Sequence, residues 1–472
     1  MKELLIKKYF LNILGILISR ISGFCRDLLL ARFLGASVYS DMFFVMIKLP
    51  SVFRTLFTEG TFNQSFLPNL AKTKRKGEFC VKILMIFIAI LSLISLVICI
   101  FSNLFVKLIA FGFSDELVAI TSPLVSINIW YLVFVFCASL IASLLNYKGR
   151  FFITSLSGSF FNFGCIFAMI FYSNSDKLQI LYAISYFILA SSIFQIFFLL
   201  IALKDNNIFK SMIIVFKNLF RVFYEKKVSL KGFFKNFFAS LLGASSSQLN
   251  SLIEIALAST LASASISYLN YSTRIYQLPL ALIAIAFTQV FFPKLILMIK
   301  QNNIKNAILN MQKSFELMSL LLIFATLGGY ILSEEIIKIL FMRGAFSEQN
   351  AIECAKVLSI YILCITPLGL SKLFLAWINA NYKHGFAAKV AIISCIISVI
   401  STFSLINHFG ILAFCISANI SAWFIFIAYL KVFGYSRFLG ILRLKIWFLI
   451  ILISIIFAYI LTLFKGFLNA FL

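Results

Sequence analysis

Long apolar stretches recur along the whole chain, and polar residues gather in short segments between them. The core of a bilayer takes about 20 apolar residues as one helix. The apolar positions run continuously instead of alternating, which excludes the strands of a membrane β-barrel. The pattern predicts thirteen membrane-spanning helices, near residues 10–33, 38–60, 79–106, 117–146, 151–173, 178–203, 233–261, 265–293, 306–332, 350–380, 386–406, 410–432 and 445–464.

Composition agrees with that pattern. The 472 residues are 62% hydrophobic and 12% charged, whereas a soluble protein carries about 25% charged residues. The net charge of +25 could indicate nucleic-acid binding. However, the Lys and Arg residues lie in short loops between apolar stretches, as in membrane proteins. We therefore predict an all-α polytopic membrane protein and expect no nucleic-acid partner.

The basic residues also predict the orientation of the chain. They are concentrated in every second loop, and the loops between these hold few Lys or Arg residues. Cytoplasmic loops are enriched in Lys and Arg, so the N-terminus is predicted to be cytoplasmic. The basic loops include residues 72–76, 148–150, 204–235, 294–305 and 431–445.

The longest basic segment, 204–232, divides the chain into two halves of six spans. "KLPSVFRTLFTEGTFNQSFLPNL" (48–70) and "QLPLALIAIAFTQVFFPKL" (277–295) share a Leu-Pro and a later Phe-x-Pro-x-Leu or its near copy. Two coincidental proline-kinked helices would also give this similarity. A parallel repeat around a central cavity instead predicts a transporter with alternating access. The predicted division is 1–203 as N-lobe, 204–232 as linker, 233–435 as C-lobe and 436–472 as an additional helix and tail.

The linker 204–232 alternates Lys or Arg with Ile, Val and Phe at roughly helical spacing. This spacing predicts a cytoplasmic amphipathic helix on the anionic inner leaflet. A regulatory or partner-binding helix is the alternative.

Charged residues within the predicted spans are the strongest functional signal. A charge at the centre of a bilayer costs at least about 2.5 kcal/mol. "SRISGFCRDLLLAR" (19–32) places Arg20, Arg26 and Asp27 in the first span, and Arg274 lies in the eighth. The arginines outnumber the nearby carboxylates, and guanidinium groups bind phosphate oxygens bidentately. The surplus favours an anionic substrate.

Internal ion pairing is the structural alternative for these charges. Arg20 could pair with Asp27, and Arg54 of the second span could pair with Glu59 or Asp41.

The seventh span carries a carboxylate, Glu254, with Asn250 one turn before it. An intramembrane carboxylate can bind a coupling cation or proton, or it can be neutral and hydrogen-bonded to a neighbour. Both readings stay open. No metal site is expected, because the nine Cys form no CxxC pair and only two His are present.

These residues carry a resemblance to a known family. "SRISGFCRDLLLARFLGAS", followed by "SDMFFVMIKLPSVFRTLFTEGTFNQSFLP", closely resembles the N-terminal signature of the MurJ (MviN) family. "YSTRIYQLPLALIAIAFTQVFFP" is similar to the matching stretch in the eighth span, and the resemblance extends over residues 1–435. The family belongs to the multidrug/oligosaccharidyl-lipid/polysaccharide exporter superfamily.

The resemblance implies a lipid II flippase for peptidoglycan and cell wall biogenesis. Such a protein is a transporter and not an enzyme. It moves an undecaprenyl-diphosphate-linked precursor from the inner to the outer leaflet of the bacterial cytoplasmic membrane. The resemblance also implies that the partners are lipid II, membrane lipids and other peptidoglycan-synthesis proteins. No cofactor is expected, and the driving force would be Na⁺, H⁺ or the membrane potential.

The resemblance also implies roles for single residues. The predicted substrate-binding residues are Ser19, Arg20, Arg26, Asp41 and Arg274. Arg54 and Glu59 match inner-gate residues, and we assign Asp27 to that gate. Glu254, with Asn250, matches a position where some members are thought to bind a cation.

The chain departs from the family at two points. Members commonly have fourteen spans, and the last two form a groove for the lipid tail, whereas we predict thirteen. Thr273 stands before Arg274 where some relatives carry an acid.

Other functions remain as alternatives. A flippase for another polyprenyl-diphosphate glycan or a cation-coupled exporter would share this fold. A polyprenyl-phosphate enzyme would need catalytic carboxylates or a metal site. The carboxylate cluster that could serve is Glu334, Glu335, Glu348 and Glu353, which is typical of a solvated loop face.

Overall fold

A computed structural model describes residues 2–58, 61–204, 206–218 and 228–469. Helices make up almost all of this described part of the chain. The first twelve are α1 (Lys2–Leu34), α2 (Val38–Phe57), α3 (Thr61–Lys72), α4 (Lys76–Ile100), α5 (Ser102–Ile109), α6 (Asp115–Asn128), α7 (Tyr131–Tyr147), α8 (Phe151–Ser157), α9 (Phe160–Phe171), α10 (Lys177–Leu203), α11 (Asn207–Lys217) and α12 (Lys231–Ala258).

The later helices include two short segments of other geometry, a π-helix at Leu280–Ile285 and a 3₁₀-helix at Ile362–Cys364. The α-helices are α13 (Ser265–Pro279), α14 (Ala286–Lys300), α15 (Ile304–Ile331), α16 (Ser333–Phe341), α17 (Glu348–Tyr361), α18 (Ile365–Ala380), α19 (His384–Phe409), α20 (Leu412–Phe433), α21 (Tyr435–Ile441) and α22 (Leu444–Asn469).

The predicted all-α membrane fold is confirmed. Among the described residues, ten helical stretches, each made of one to three consecutive helices, are long and apolar enough to cross a membrane. The other three predicted spans coincide with α1, α2 and α12. These three carry Arg26, Asp41 and Glu254 among other charged residues, which lower their apolar character.

Several predicted spans are interrupted where the sequence disfavours a continuous helix. The eighth span changes from α-helix to π-helix directly after Pro279, whose ring cannot donate a backbone hydrogen bond. The fourth span is two helices, α6 and α7, with Pro123 inside α6. A π-helical segment within a longer helix is often found at a functional site.

The helices form two compact units, Met1–Thr260 and Leu261–Leu472. The seventh span, α12, therefore belongs to the first unit, where it packs against α3 and α2. The predicted lobes 1–203 and 233–435 follow the sequence repeat and not compactness. They stay a prediction.

Aromatic side chains fill the core of the first unit between α3, α4, α7 and α12. The rings of Phe87 and Phe136 stack with centroids 4.7 Å apart, and Phe62 lies 5.3 Å from Phe136. Phe233 and Phe237 of α12 contact Phe87 at 6.0 and 5.2 Å. Aromatic pairs at these distances contribute about 0.5–1.5 kcal/mol each beyond their buried area. They therefore fix the N-terminal half of α12 on the first unit.

The linker contains one described helix, α11. The side-chain oxygen of Asn206 caps its N-terminus by accepting a hydrogen bond from the Ile208 amide at 2.9 Å. Ile208 and Met212 are buried, and α11 packs on α4. Its exposed face mixes apolar and basic side chains, and residues 219–227 of the predicted linker lie outside the described residues. The exposed side chains of α11 are Asn207, Lys210, Ile213, Ile214, Phe216 and Lys217.

Candidate substrate-binding site

The predicted site begins on α1, where Arg26 and Asp27 form a buried ion pair. Arg26 donates from Nε and Nη2 to Asp27 Oδ1 at 3.0 and 2.6 Å. Its Nη1 donates to Asn162 Oδ1 at 3.1 Å, and Asn162 Nδ2 donates to Ser22 Oγ at 3.0 Å. Arg26 is 6% exposed. In this conformation Arg26 is therefore bound by the chain's own side chains.

Local sequence explains how α9 reaches this pair. Gly23 faces Asn162, and a Cβ on that glycine would lie 3.4 Å from Asn162 Nδ2. The absence of a side chain lets the two helices approach closely. The guanidinium of Arg26 also lies 5.6 Å from the centre of the Phe161 ring. An adjacent carboxylate, an amide and a ring face together compensate a charge that burial would otherwise disfavour.

Arg20 has a different environment from Arg26. It is exposed on α1. Ser19 is half-buried, and its carbonyl accepts hydrogen bonds from Ser22 Oγ at 2.9 Å and from Asn162 Nδ2 at 3.3 Å. Arg20 is therefore accessible from outside the protein, while the backbone beside it is fixed.

The second span holds the other predicted charges of the first unit. Asp41 is buried in the first turn of α2. Arg54 lies in the last turn of α2, is half-buried, and is close enough for its charge to act on Arg26. Glu59, predicted for the inner gate, lies outside the described residues.

Lys48 on α2 faces Ser251 and Glu254 of α12. Its Nζ donates a hydrogen bond to Ser251 Oγ, and its charge is attracted by that of Glu254. Glu254 and Asn250 are both half-buried. A lysine ammonium therefore acts on the carboxylate predicted to couple transport to a cation.

The remaining predicted residue, Arg274, belongs to the second unit and is exposed on α13. The opposite face of α13 is anchored to α17. There Tyr268 Oη donates to Asn350 Oδ1 at 2.9 Å and Ser272 Oγ donates to the Cys354 carbonyl at 3.0 Å. Tyr271 packs its ring against Phe341 at 5.1 Å. A rigid helix thus presents Arg274 at its surface.

Sequence reasoning missed three residues that the structure connects to the site. Asn162 links α9 to Arg26, and Lys48 and Ser251 link α2 to α12. Asn162 was detectable in principle, because it is an isolated amide within the apolar run "FFNFG". The pairing of Lys48 with Ser251 spans 203 positions, and no local pattern predicts it.

One expectation was wrong. Glu335 was placed on a solvated loop face, but it is 1% exposed. It points to Lys465 of the last helix, with Oε1 and Nζ 3.4 Å apart. The sequence cannot show this packing because the two residues are far apart along the chain. Within the described ranges, no three His, Cys, Asp or Glu side chains gather as a metal site would require.

The all-α, multi-pass fold defines a polytopic membrane protein, and several of its membrane helices carry charged residues. Known proteins agree with this class. A family model described as lipid II flippase MurJ matches residues 30–472, and the chain therefore belongs to that family. Members of this family are flippases of the bacterial inner membrane. The predicted family, the transporter class and the multi-pass membrane location are confirmed.

Two similar relatives illustrate the range of the family. A probable lipid II flippase MurJ of Helicobacter pylori (strain ATCC 700392 / 26695) is 37% identical over 447 residues, covering 93% of this chain and 97% of the relative. A probable lipid II flippase MurJ of Aquifex aeolicus (strain VF5) is 28% identical over 436 residues, covering 87% and 79%.

Solved structures support the same fold. A lipid II flippase MurJ in an inward closed conformation aligns with a TM-score of 0.78 at 23% identity, over 97% of this chain and 98% of that chain. An inward-facing multidrug resistance MATE family transporter of the MOP superfamily aligns with a TM-score of 0.67 at 12% identity, over 92% and 98%.

Proposed function

We propose that this protein moves lipid II from the inner to the outer leaflet by alternating access, with Arg20 and Arg274 as the principal ligands of the diphosphate. Support comes from family membership and from the exposure of both guanidinium groups on membrane helices. The polar headgroup of lipid II cannot cross hydrocarbon unaided. Guanidinium groups lower the free energy of a diphosphate within a transport path. The single observation that carries the flippase function is the match of the family model to residues 30–472, a range that contains Arg274 but not Arg20.

The proposed binding site also includes Ser19, Arg26 and Asp41, which support the two principal ligands. Asp27 and Asn162 bind Arg26, and Asp27 offsets its charge, so Arg26 contributes mainly by fixing the α1 backbone beside Ser19. For a direct contact with the diphosphate, Arg26 would first exchange one of these partners. This keeps affinity for the substrate modest, which favours release on the far side.

The proposed gate consists of Arg54, Glu59 and Asp27. Arg54 and Arg26 repel each other, and Asp27 offsets part of that repulsion by binding Arg26. An arriving diphosphate would bring further negative charge to this region. We assign Arg54 the role of sensing that charge at the cytoplasmic end of the path, with the N-terminus in the cytoplasm.

Coupling to an energy source is assigned to Glu254 and Asn250. The attraction between Lys48 and Glu254 provides an internal cation for the carboxylate in this conformation. Na⁺ or H⁺ bound at Glu254, or the membrane potential acting on its charge, would weaken the attraction between Lys48 and Glu254. Vesicle experiments that impose each gradient singly identify which of the three drives transport.

The proposal is tested by rescue of a bacterium depleted of its own lipid II flippase. The parent chain is expected to restore growth and outer-leaflet lipid II, and Arg20→Ala and Arg274→Ala are expected to fail at equal expression. Lys300→Gln, which alters an exposed lysine at the end of α14, is the matched control and should rescue. Rescue by both arginine variants would refute the assigned ligands. Failure of the well-inserted parent would favour a flippase for another polyprenyl-diphosphate glycan.

A further inference from the structure

The last helix, α22, is attached to α15 through Arg443, the residue directly before the start of α22. Arg443 Nε donates to Glu316 Oε1 at 2.8 Å, and Arg443 Nη2 donates to Glu316 Oε2. Two parallel hydrogen bonds between a guanidinium and a carboxylate are among the strongest side-chain contacts. Glu316 is buried, and a buried carboxylate requires a counter-charge. Arg443 supplies it.

The same turn of α15 holds the connection between α21 and α22. Gln312, four residues before Glu316 and on the same face, donates from Nε2 to the Ile441 carbonyl at 3.0 Å. This carbonyl belongs to the last residue of α21, where helical partners run out. The Phe315 ring lies 5.4 Å from Phe438 and 5.6 Å from Trp447. The connection is therefore fixed by polar and aromatic contacts together.

The other end of α22 is attached through Lys465. Its Nζ donates to the carbonyl of Ile331, the last residue of α15, at 3.1 Å. Lys465 Nζ also lies 3.4 Å from Glu335 Oε1. Neither carboxylate oxygen of Glu335 accepts a hydrogen bond from any described residue. The ion pair with Lys465 and the N-terminal dipole of α16 therefore compensate this buried charge.

Between the two ends, the Phe324 ring of α15 stacks on Phe457 of α22 with centroids 4.4 Å apart. The contacts follow the same order along both helices, so α15 and α22 run parallel. Residues 316 to 331 rise about 22 Å along α15. A shift of α22 by one helical turn, about 5.4 Å, would break both ion pairs and the ring stack.

We propose that Arg443 and Lys465 are positioning residues that fix α22 to α15, so that the two helices move as one body during transport. A helix attached at one end could swing through the surrounding lipid. Attachment at both ends and the middle excludes such motion unless two buried carboxylates lose their counter-charges. The attachment of α22 to α15 does not depend on the proposed function, and only the test that measures flipping rests on it.

The first test removes the counter-charges. Arg443→Gln and Lys465→Gln are each expected to lower the apparent Tm in detergent by roughly 5–10 °C, because a buried carboxylate is left uncompensated. Glu316→Gln combined with Arg443→Gln should recover most of that loss. Lys445→Gln removes an exposed cation two residues away and should leave Tm unchanged. Parental Tm values in Arg443→Gln and Lys465→Gln would overturn the proposal, whatever the protein transports.

The second test bridges the helices. The Phe324→Cys/Phe457→Cys double variant is treated with a short, cleavable bifunctional thiol reagent. Phe324→Cys alone and Phe457→Cys alone are treated in the same way to control for the nine native cysteines. The bridge is expected to form in high yield and to leave flipping at the parental rate. A bridge that stops flipping until it is cleaved would show that α22 moves along α15. Failure to bridge would show that the helices are not fixed neighbours. Both results contradict the proposal.

Discussion

Two arginines of the same membrane helix, α1, lie in different environments. Arg26 is buried against Asp27 and Asn162, whereas Arg20, less than two turns earlier, is exposed. A buried ion pair contributes little net stability, but the removal of one partner is costly because the other charge stays uncompensated. The two arginines should therefore respond differently to substitution.

Arg26→Ala is expected to lower the free energy of unfolding by roughly 3–5 kcal/mol, because Asp27 is left buried without its counter-charge. Arg20→Ala should leave stability close to that of the parent. Thermal unfolding of the purified variants in detergent measures both. Arg26→Ala combined with Asp27→Asn is the control and should recover much of the loss. Equal stability of the parent and Arg26→Ala would contradict this account of α1.

The environment of Arg26 could not be predicted from sequence. The run "SRISGFCRDLLLAR" indicates that its charges need compensation, but the pairing expected from it was that of Arg20 with Asp27, whereas Arg26 is the residue that binds Asp27 at 2.6 Å. Asn162, the second partner, lies 136 positions away. Glu335 shows the same limit, since its ion-pair partner Lys465 lies on α22, the sixth α-helix after α16.

At the scale of elements, the sequence predicts the positions of the helices well. Each of the thirteen predicted spans coincides with one helix or with two or three consecutive helical segments, because apolar length is a direct requirement of the bilayer. The breaks within spans were not predicted. The eighth span breaks directly after Pro279, which lacks a backbone N–H to donate. The place of α12 in the first unit likewise depends on its aromatic contacts with α3 and α4.

The packing of α11 on α4 gives a prediction at this scale. A Cβ on Gly77 would clash with Ser211 Oγ and lie 2.9 Å from the Ser211 carbonyl carbon. Gly77→Ala is therefore expected to displace α11 and to lower the free energy of unfolding by about 1–3 kcal/mol.

Thermal unfolding and limited proteolysis of the linker report the effect. Ser211→Gly removes the nearest side-chain atoms, so combining it with Gly77→Ala should restore part of the stability. Parental proteolysis and Tm in Gly77→Ala would show that α11 does not need this close approach.

At the scale of the whole molecule, the family, the fold and the two exposed arginines are all consistent with the flipping of lipid II. The family model covers residues 30–472, which include the assigned ligands Asp41 and Arg274 but not the assigned site residues Ser19, Arg20, Arg26 and Asp27. Those four residues lie on α1, whose role rests on the sequence signature and on the contacts around Arg26. The two exposed arginines belong to different compact units. An activity that needs both therefore needs the whole chain.

The measurement that tests the central claim most directly is lipid II flipping in purified proteoliposomes. Lipid II is incorporated into both leaflets, and an impermeant lipid II-binding peptide added outside reports the accessible fraction over time. The parent should expose the inner pool, and protein-free vesicles should not. Arg274→Ala should slow exposure at least about tenfold, because one charge-assisted hydrogen bond to the diphosphate is lost, while Lys300→Gln should match the parent. A parent that leaves the inner pool protected, or an Arg274→Ala variant as fast as the parent, would contradict the account.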